Sequence, residues 1–180
     1  MHVRFGSCIG MDVMVEGTSD VLGQIAGILI NPDTAAIEGF FLYGGQARNQ
    51  PLFLAAADIV RFGTAVMVSD SVAVAPAEDR VRLRPLLEGK RPVLGQRIRT
   101  ERGRNLGVCR DVQFTTRAMR VEWLFPKRLW RWGVALPATV VVKITPAAII
   151  VQNDAVMRKR SRARLLPVEP VLPVVPVPET

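Results

Sequence analysis

Two stretches of the chain repeat each other without a gap. Residues 22–41, LGQIAGILINPDTAAIEGFF, align with residues 106–125, LGVCRDVQFTTRAMRVEWLF, at an offset of 84. Leu22-Gly23 matches Leu106-Gly107. Ile28 and Ile30 match Val112 and Phe114, and Ile37, Glu38 and Phe41 match Val121, Glu122 and Phe125. Each stretch reads as a β-hairpin: apolar residues at period two, a polar turn, then a second apolar strand. In the first, Asn31-Pro32-Asp33-Thr34 is turn chemistry, since Asn and Asp bond their own backbone and Pro presets φ.

The alignment extends to both sides. In copy one we expect an edge strand within 1–10 and strands over 12–15, 21–31, 36–43, 52–54, 65–68 and 72–75. A polar loop is expected at 44–51 and a helical turn or irregular segment over 55–62. In copy two, strands over 96–100, 106–114 and 120–125 follow, with a turn at 101–105. A connecting loop two residues shorter then sets the offset to 82. Leu54 pairs with Leu136, Ile59 with Val141, Arg61 with Lys143, and residues 66–68 with 148–150. A period near 80 is too long for a solenoid repeat and has the size of a small domain. The expected fold is therefore all-β: two tandem small barrels at 1–76 and 93–153 with a linker at 77–92. Residues 154–180 form a basic segment and an extended tail rich in proline and valine.

These residues carry a family resemblance. An apolar strand, a turn, Leu-Gly, the run GILINPDTAAIEGFFL and the later run LFLAAADIVRFGTAVMV resemble the PRC-barrel domain. In copy two, Leu106, Gly107, Arg110, Asp111 and Val112 are similar to that family's Leu-Gly and Lys/Arg-Asp-Val run. The likeness covers residues 10–75 and 94–151. It implies a small, strongly curved barrel that acts as a binding or assembly module without catalysis. The family includes the cytoplasmic domain of the photosynthetic reaction-centre H subunit and the C-terminal domain of a ribosome-maturation factor. This chain departs from both: it carries no membrane helix of the first type. It also lacks the paired tyrosines of the second, since Tyr43 is the sole tyrosine.

Charge divides the copies. The net charge is +8. Residues 1–88 hold six arginines against ten acids, a balance of −4, while residues 89–180 hold eighteen Lys and Arg against six acids, a balance of +12. Such asymmetry points to an anionic partner for the second half. Enzymatic chemistry finds little footing. The single histidine, His2, stands alone near a terminus, and no glycine-rich phosphate loop is present. Glu78-Asp79 lies in a charged linker. Cys8 and Cys109 have no C-x-x-C neighbour, so neither a disulfide framework nor a metal site is expected, and no cofactor is implied. Cys109 falls in a strand and is expected to be buried. No signal peptide is evident, and the longest apolar run, 134–151, is broken by Pro137, Lys143 and Pro146. A soluble, cytoplasmic protein in a reduced setting is expected.

Two candidate sites remain. All three tryptophans lie in VEWLFPKRLWRWGVALP, where Trp123, Trp130 and Trp132 interleave with Lys127, Arg128 and Arg131. Aromatics beside cations suit stacked bases with phosphates, a lipid headgroup layer, or a protein hot spot. The alternative is that Trp123 and Phe125 face the barrel or a domain interface while the charges are merely solvated. The second candidate is Arg158, Lys159, Arg160, Arg162 and Arg164, a tract dense enough to bind polyanions non-specifically; otherwise it is a solvated run. RNA or a ribosomal assembly is the leading partner class. An anionic membrane surface or membrane complex is the alternative, and a protein partner for the barrels or the proline-rich tail stays open.

Overall fold

The computed structural model describes residues 1–44 and 52–154. The polar loop at 45–51, the basic tract and the proline-rich tail lie outside the described residues. The chain is mainly β. Strand β1 (His2–Arg4) is followed by β2 (Asp12–Val15), β3 (Val21–Ile30), β4 (Ile37–Tyr43), β5 (Leu52–Ala55), β6 (Ile59–Phe62), β7 (Val66–Val68) and β8 (Val74–Pro76). A short helix, α1 (Arg84–Glu88), precedes β9 (Arg97–Thr100), β10 (Asn105–Thr115) and β11 (Arg120–Arg128). The rest are β12 (Arg131–Trp132), β13 (Leu136–Pro137), β14 (Val141–Ile144) and β15 (Ile149–Val151). One sheet runs β6-β7-β2-β3-β4-β5-β8; the other runs β12-β11-β10-β9-β15-β14, with β1 added to β10 and β13 to β11.

Both sheets curl for the same local reason. The central hairpins, β3–β4 and β10–β11, each shift register twice, at Ile25/Gly27 and Leu29/Ile30 and again at Cys109/Asp111 and Gln113/Phe114. An offset of 84 carries the first pair of shifts onto the second. A bulge bends its strand and increases the local twist, so matched bulges wrap both sheets over their inner faces. Parallel pairing of β2 with β7 matches that of β9 with β15. It also moves one boundary: Val13 faces Val66 and Ile98 faces Ile149. The last strand of copy two is therefore 149–151, one residue later than the offset of 82 implies, because the β14–β15 turn is one residue longer. Residues 55–62 resolve into a 3-10 turn at Ala56–Asp58 and β6, matched by Ala138–Val140 and β14.

The two sheets meet through the turns of their hairpins. Ala36 and Arg120 form an antiparallel bridge. Around it Ile37 N–H donates to Met119 O at 2.7 Å, and Val121 N–H donates to Ala35 O at 2.9 Å. The offset of 84 exchanges these two bonds, so the bridge lies on a local twofold axis. Ala35 and Met119, equivalent residues, both have positive φ, 59° and 44°. Beneath the bridge one apolar core takes side chains from both sheets. Phe40 and Phe62 of the first sheet and Phe114 of the second form a triangle, with centroid separations of 5.9, 6.2 and 5.8 Å.

Two further features tie the halves together. β1 does not join the first sheet. It pairs with the far end of β10, with Val3 opposite Phe114. The segment between the copies also packs: Ala77 and Leu83 are buried against Phe53, with Leu29, Phe41 and Leu86 around them. The first sheet thus carries its own cover on its outer face.

Gly39 marks how tightly β4 and β5 are joined. A Cβ there would lie 2.1 Å from Leu54 O and 2.5 Å from the Phe53 ring. Gly39→Ala should destabilise the chain by about 1–3 kcal/mol, the usual cost of overpacking, read as a lower urea midpoint at unchanged m. Gly63→Ala is the control, since nothing lies closer than 3.9 Å to its Cβ position; equal loss in both variants would refute the close approach.

Candidate anionic-partner interface on the second sheet

The outer face of the second sheet is built by alternation along β11. Trp123, Phe125 and Lys127 lie at every second residue and so share a face. Lys127 pairs with Trp132 of β12 on one side and Val108 of β10 on the other, and Val108 pairs in turn with Arg97 of β9. Directly opposed residues lie on the same side of a sheet. The row Arg97, Val108, Lys127, Trp132 therefore runs across four strands.

Aromatic rings and cations stack here. The Arg4 guanidinium sits 4.2 Å from the centroid of the Phe125 ring and 5.3 Å from that of Trp132, and Lys127 Nζ lies 5.3 Å from Trp132. Arg4 is held by Asp111, whose Oδ2 lies 2.8 Å from its Nη2. Asp111 is buried, and its Oδ1 accepts from Gly6 N–H and Val112 N–H, both at 2.9 Å. A carboxylate fixed by two backbone donors holds Arg4 in one place over the rings. Its other neighbours do not neutralise this face. Residues 89–154 contain thirteen Lys and Arg and four acids. Among the described residues only Arg91 of those cations makes an ion pair, with Asp33 at 2.8 Å. Arg91 holds the Asp33 carboxyl below its ordinary value by hydrogen bonding to it.

Beyond the face stands the tip of the β11–β12 hairpin. Arg128 pairs with Arg131 across a two-residue turn, Leu129-Trp130. Such turns need positive φ, and Leu129 adopts 52°. Leu129 is 86% exposed and Trp130 92% exposed. A leucine in the left-handed region costs about 1 kcal/mol relative to glycine, and here it holds an apolar side chain out into solvent.

The six residues singled out in this stretch thus fall in three places. Lys127 and Trp132 are in contact, with Trp132 54% exposed. Arg128 and Arg131 flank the tip, and Trp130 lies in its turn. Trp123 is 38% exposed and lies between Gln113 and Pro137. Arg4 is the member that the pattern of residues did not reveal. It reaches the site because β1 pairs with β10 more than a hundred residues away, and no local signal announces that pairing. The polyanion tract Arg158, Lys159, Arg160, Arg162 and Arg164 lies outside the described residues.

Comparison of the two sheets isolates what is special. The offset of 84 places Leu29, Gly39, Phe41 and Tyr43 on Gln113, Trp123, Phe125 and Lys127. On the first sheet Leu29 and Phe41 are covered by residues 77–86. On the second, the same positions are polar or aromatic, and Arg4 lies over Phe125. No family model matches the chain, and no curated protein matches it.

The cysteines belong to the core. Cys8 and Cys109 are fully buried free thiols, and burial pushes them up to about 11 and about 12. Both are neutral at pH 7, and a thiol is a nucleophile or metal ligand only as thiolate. Among the described residues no three His, Cys, Asp or Glu side chains cluster as metal ligands would. The raised values have a sign. The stabilising contribution is complete below the unfolded value of 9.0 and is lost as pH rises toward 11 and 12. Stability should therefore fall from pH 9 upward, and less steeply in a Cys8→Ala/Cys109→Ala chain. Native protein at pH 8 should react with a thiol reagent only as fast as it opens. Rapid labelling of both thiols without unfolding would contradict their burial.

Proposed function

We propose that the chain is a non-enzymatic binding protein, two PRC-like barrels in tandem over 1–76 and 93–153, whose second unit holds an anionic partner. RNA, free or within a ribosomal assembly, is the partner class that fits best. The observation that carries this reading is the outer face of the second sheet, where Trp123 and Trp132 are exposed among the described residues. Rings of Phe125 and Trp132 stand there beside Arg4, which Asp111 holds, and beside Lys127, which makes no ion pair among the described residues, with Trp123 on the same face; that pairing of features suits stacked bases with neighbouring phosphates. The first unit, acidic on balance and covered on its outer face, serves as scaffold or protein-contact module. The basic tract 158–164 would add phosphate contacts of the same kind.

A second reading rests on the hairpin tip. Leu129 and Trp130, exposed and collared by Lys127, Arg128 and Arg131, match what an interfacial anchor in an anionic leaflet needs. No described helix is long and apolar enough to cross a membrane.

Titration of the full chain against single-stranded RNA at several salt concentrations separates the two. Affinity should fall steeply with salt. Replacing Lys127, Arg128 and Arg131 by Ala should lower the slope of log K against log salt by about 2, at roughly 0.7 per single-strand phosphate contact. Trp132→Ala should cost about 1–3 kcal/mol if a base stacks on it. Deleting residues 156–180 should weaken binding as well. Affinity indifferent to salt and to these changes would overturn the RNA reading. Co-sedimentation with anionic vesicles, lost in Leu129→Ala/Trp130→Ala, would favour the membrane one.

A further inference from the structure

The local twofold axis relates three core positions in each half, and the two halves fill them differently. Phe40, Phe62 and Phe114 form the triangle of rings described above. Their equivalents are Leu124, Ile144 and Ile30, all aliphatic and all smaller. Those three line an open cleft of about 970 Å³ between β11 and β14, closed on one side by the first hairpin's turn. That volume is at the upper end of small-molecule sites.

The rim of the cleft is polar and unevenly charged. It holds two acids and three cations. Asp33 is bound by Arg91 through two hydrogen bonds of 2.8 Å, and Glu122 Oε2 lies 2.7 Å from His2 Nδ1. Arg120 and Lys143 line the same cleft and make no ion pair among the described residues. An apolar floor beneath a rim with more cations than acids, two of them in no ion pair among the described residues, is complementary to an apolar chain or ring ending in an anion.

We propose that this cleft binds an amphipathic anion, a carboxylate or phosphate on an aliphatic or aromatic group. The apolar part occupies the space that rings fill on the other side of the axis, and Arg120 and Lys143 take the charge. This site lies apart from the β11–β12 tip and shares only Trp123 with the rings of the outer face, so decanoate binding is measured without RNA and tests the cleft by itself.

Decanoate is the probe, with decanol as its uncharged counterpart, titrated into the full chain by calorimetry and by tryptophan fluorescence, since Trp123 borders the cleft. Saturable binding of one decanoate is expected, with decanol weaker by roughly tenfold or more for the loss of charge-assisted bonds. Arg120→Gln/Lys143→Gln should remove most of that preference at unchanged melting temperature. Leu124→Phe/Ile144→Phe, which restores the rings of the other half, should abolish binding of both probes. If overpacking unfolds that variant, seen by circular dichroism, the charge variant and the decanol comparison decide alone. The proposal is overturned by absence of saturable decanoate binding. Equal affinity for the two probes, or binding untouched by Arg120→Gln/Lys143→Gln, overturns it too.

Discussion

A pair of backbone hydrogen bonds around Ala36 and Arg120 governs the arrangement of the whole molecule. Each bond runs from one hairpin to the equivalent carbonyl of the other, so the two halves hold each other by the same atoms used twice. An interface between equivalent surfaces must be self-complementary. Here that is achieved with backbone, which leaves the side chains around the axis free to diverge. Ala35 and Met119 share a positive φ because both must turn their carbonyl toward the partner's donor. The apolar core beneath then has no boundary between the halves: Phe114 of the second sheet packs on Phe40 and Phe62 of the first. β1 adds a second tie, since residues that precede the first hairpin complete the second sheet.

Divergence around that axis follows a simple division. Inner positions stay apolar in both copies, because an exposed backbone ladder with a polar inner face would not fold. Outer positions are under no such demand. In the first copy they are apolar and need a cover, which residues 77–86 provide through Leu83 and Leu86 over Phe41 and Phe53. In the second they hold Gln113, Trp123 and Lys127, which tolerate water. The covering segment of the first copy and the cationic surface of the second are thus alternative answers to one problem: what to do with the convex side of a curled sheet.

Much of this was legible in the sequence, for reasons that differ by residue. The hairpins were, because period two and the Asn31-Pro32-Asp33 turn are local signals, and because a repeat doubles each of them. Burial of Cys109 followed from the same alternation. The register of β15 was missed by one residue, since a longer turn between two short strands leaves no trace in an apolar run such as residues 147–151. The partner of β1, and with it Arg4 over Phe125, was out of reach. Pairing across a hundred residues is decided by which edge of β10 is free, and composition does not encode that. The packing of 77–86 was likewise hidden, because Leu83 and Leu86 sit among charges at no regular period.

Electrostatics and packing coincide on the outer face of the second sheet. Unpaired cations on a stable surface repel one another, and a chain has easy means to relieve this by placing acids nearby, as Asp33 does for Arg91. Among the described residues the cations of 89–154 are relieved in this way once, at Arg91. Asp111, a buried acid, fixes Arg4 over two rings. That arrangement lowers the freedom of a long side chain, so part of the entropic cost of any contact Arg4 makes is already met by the fold.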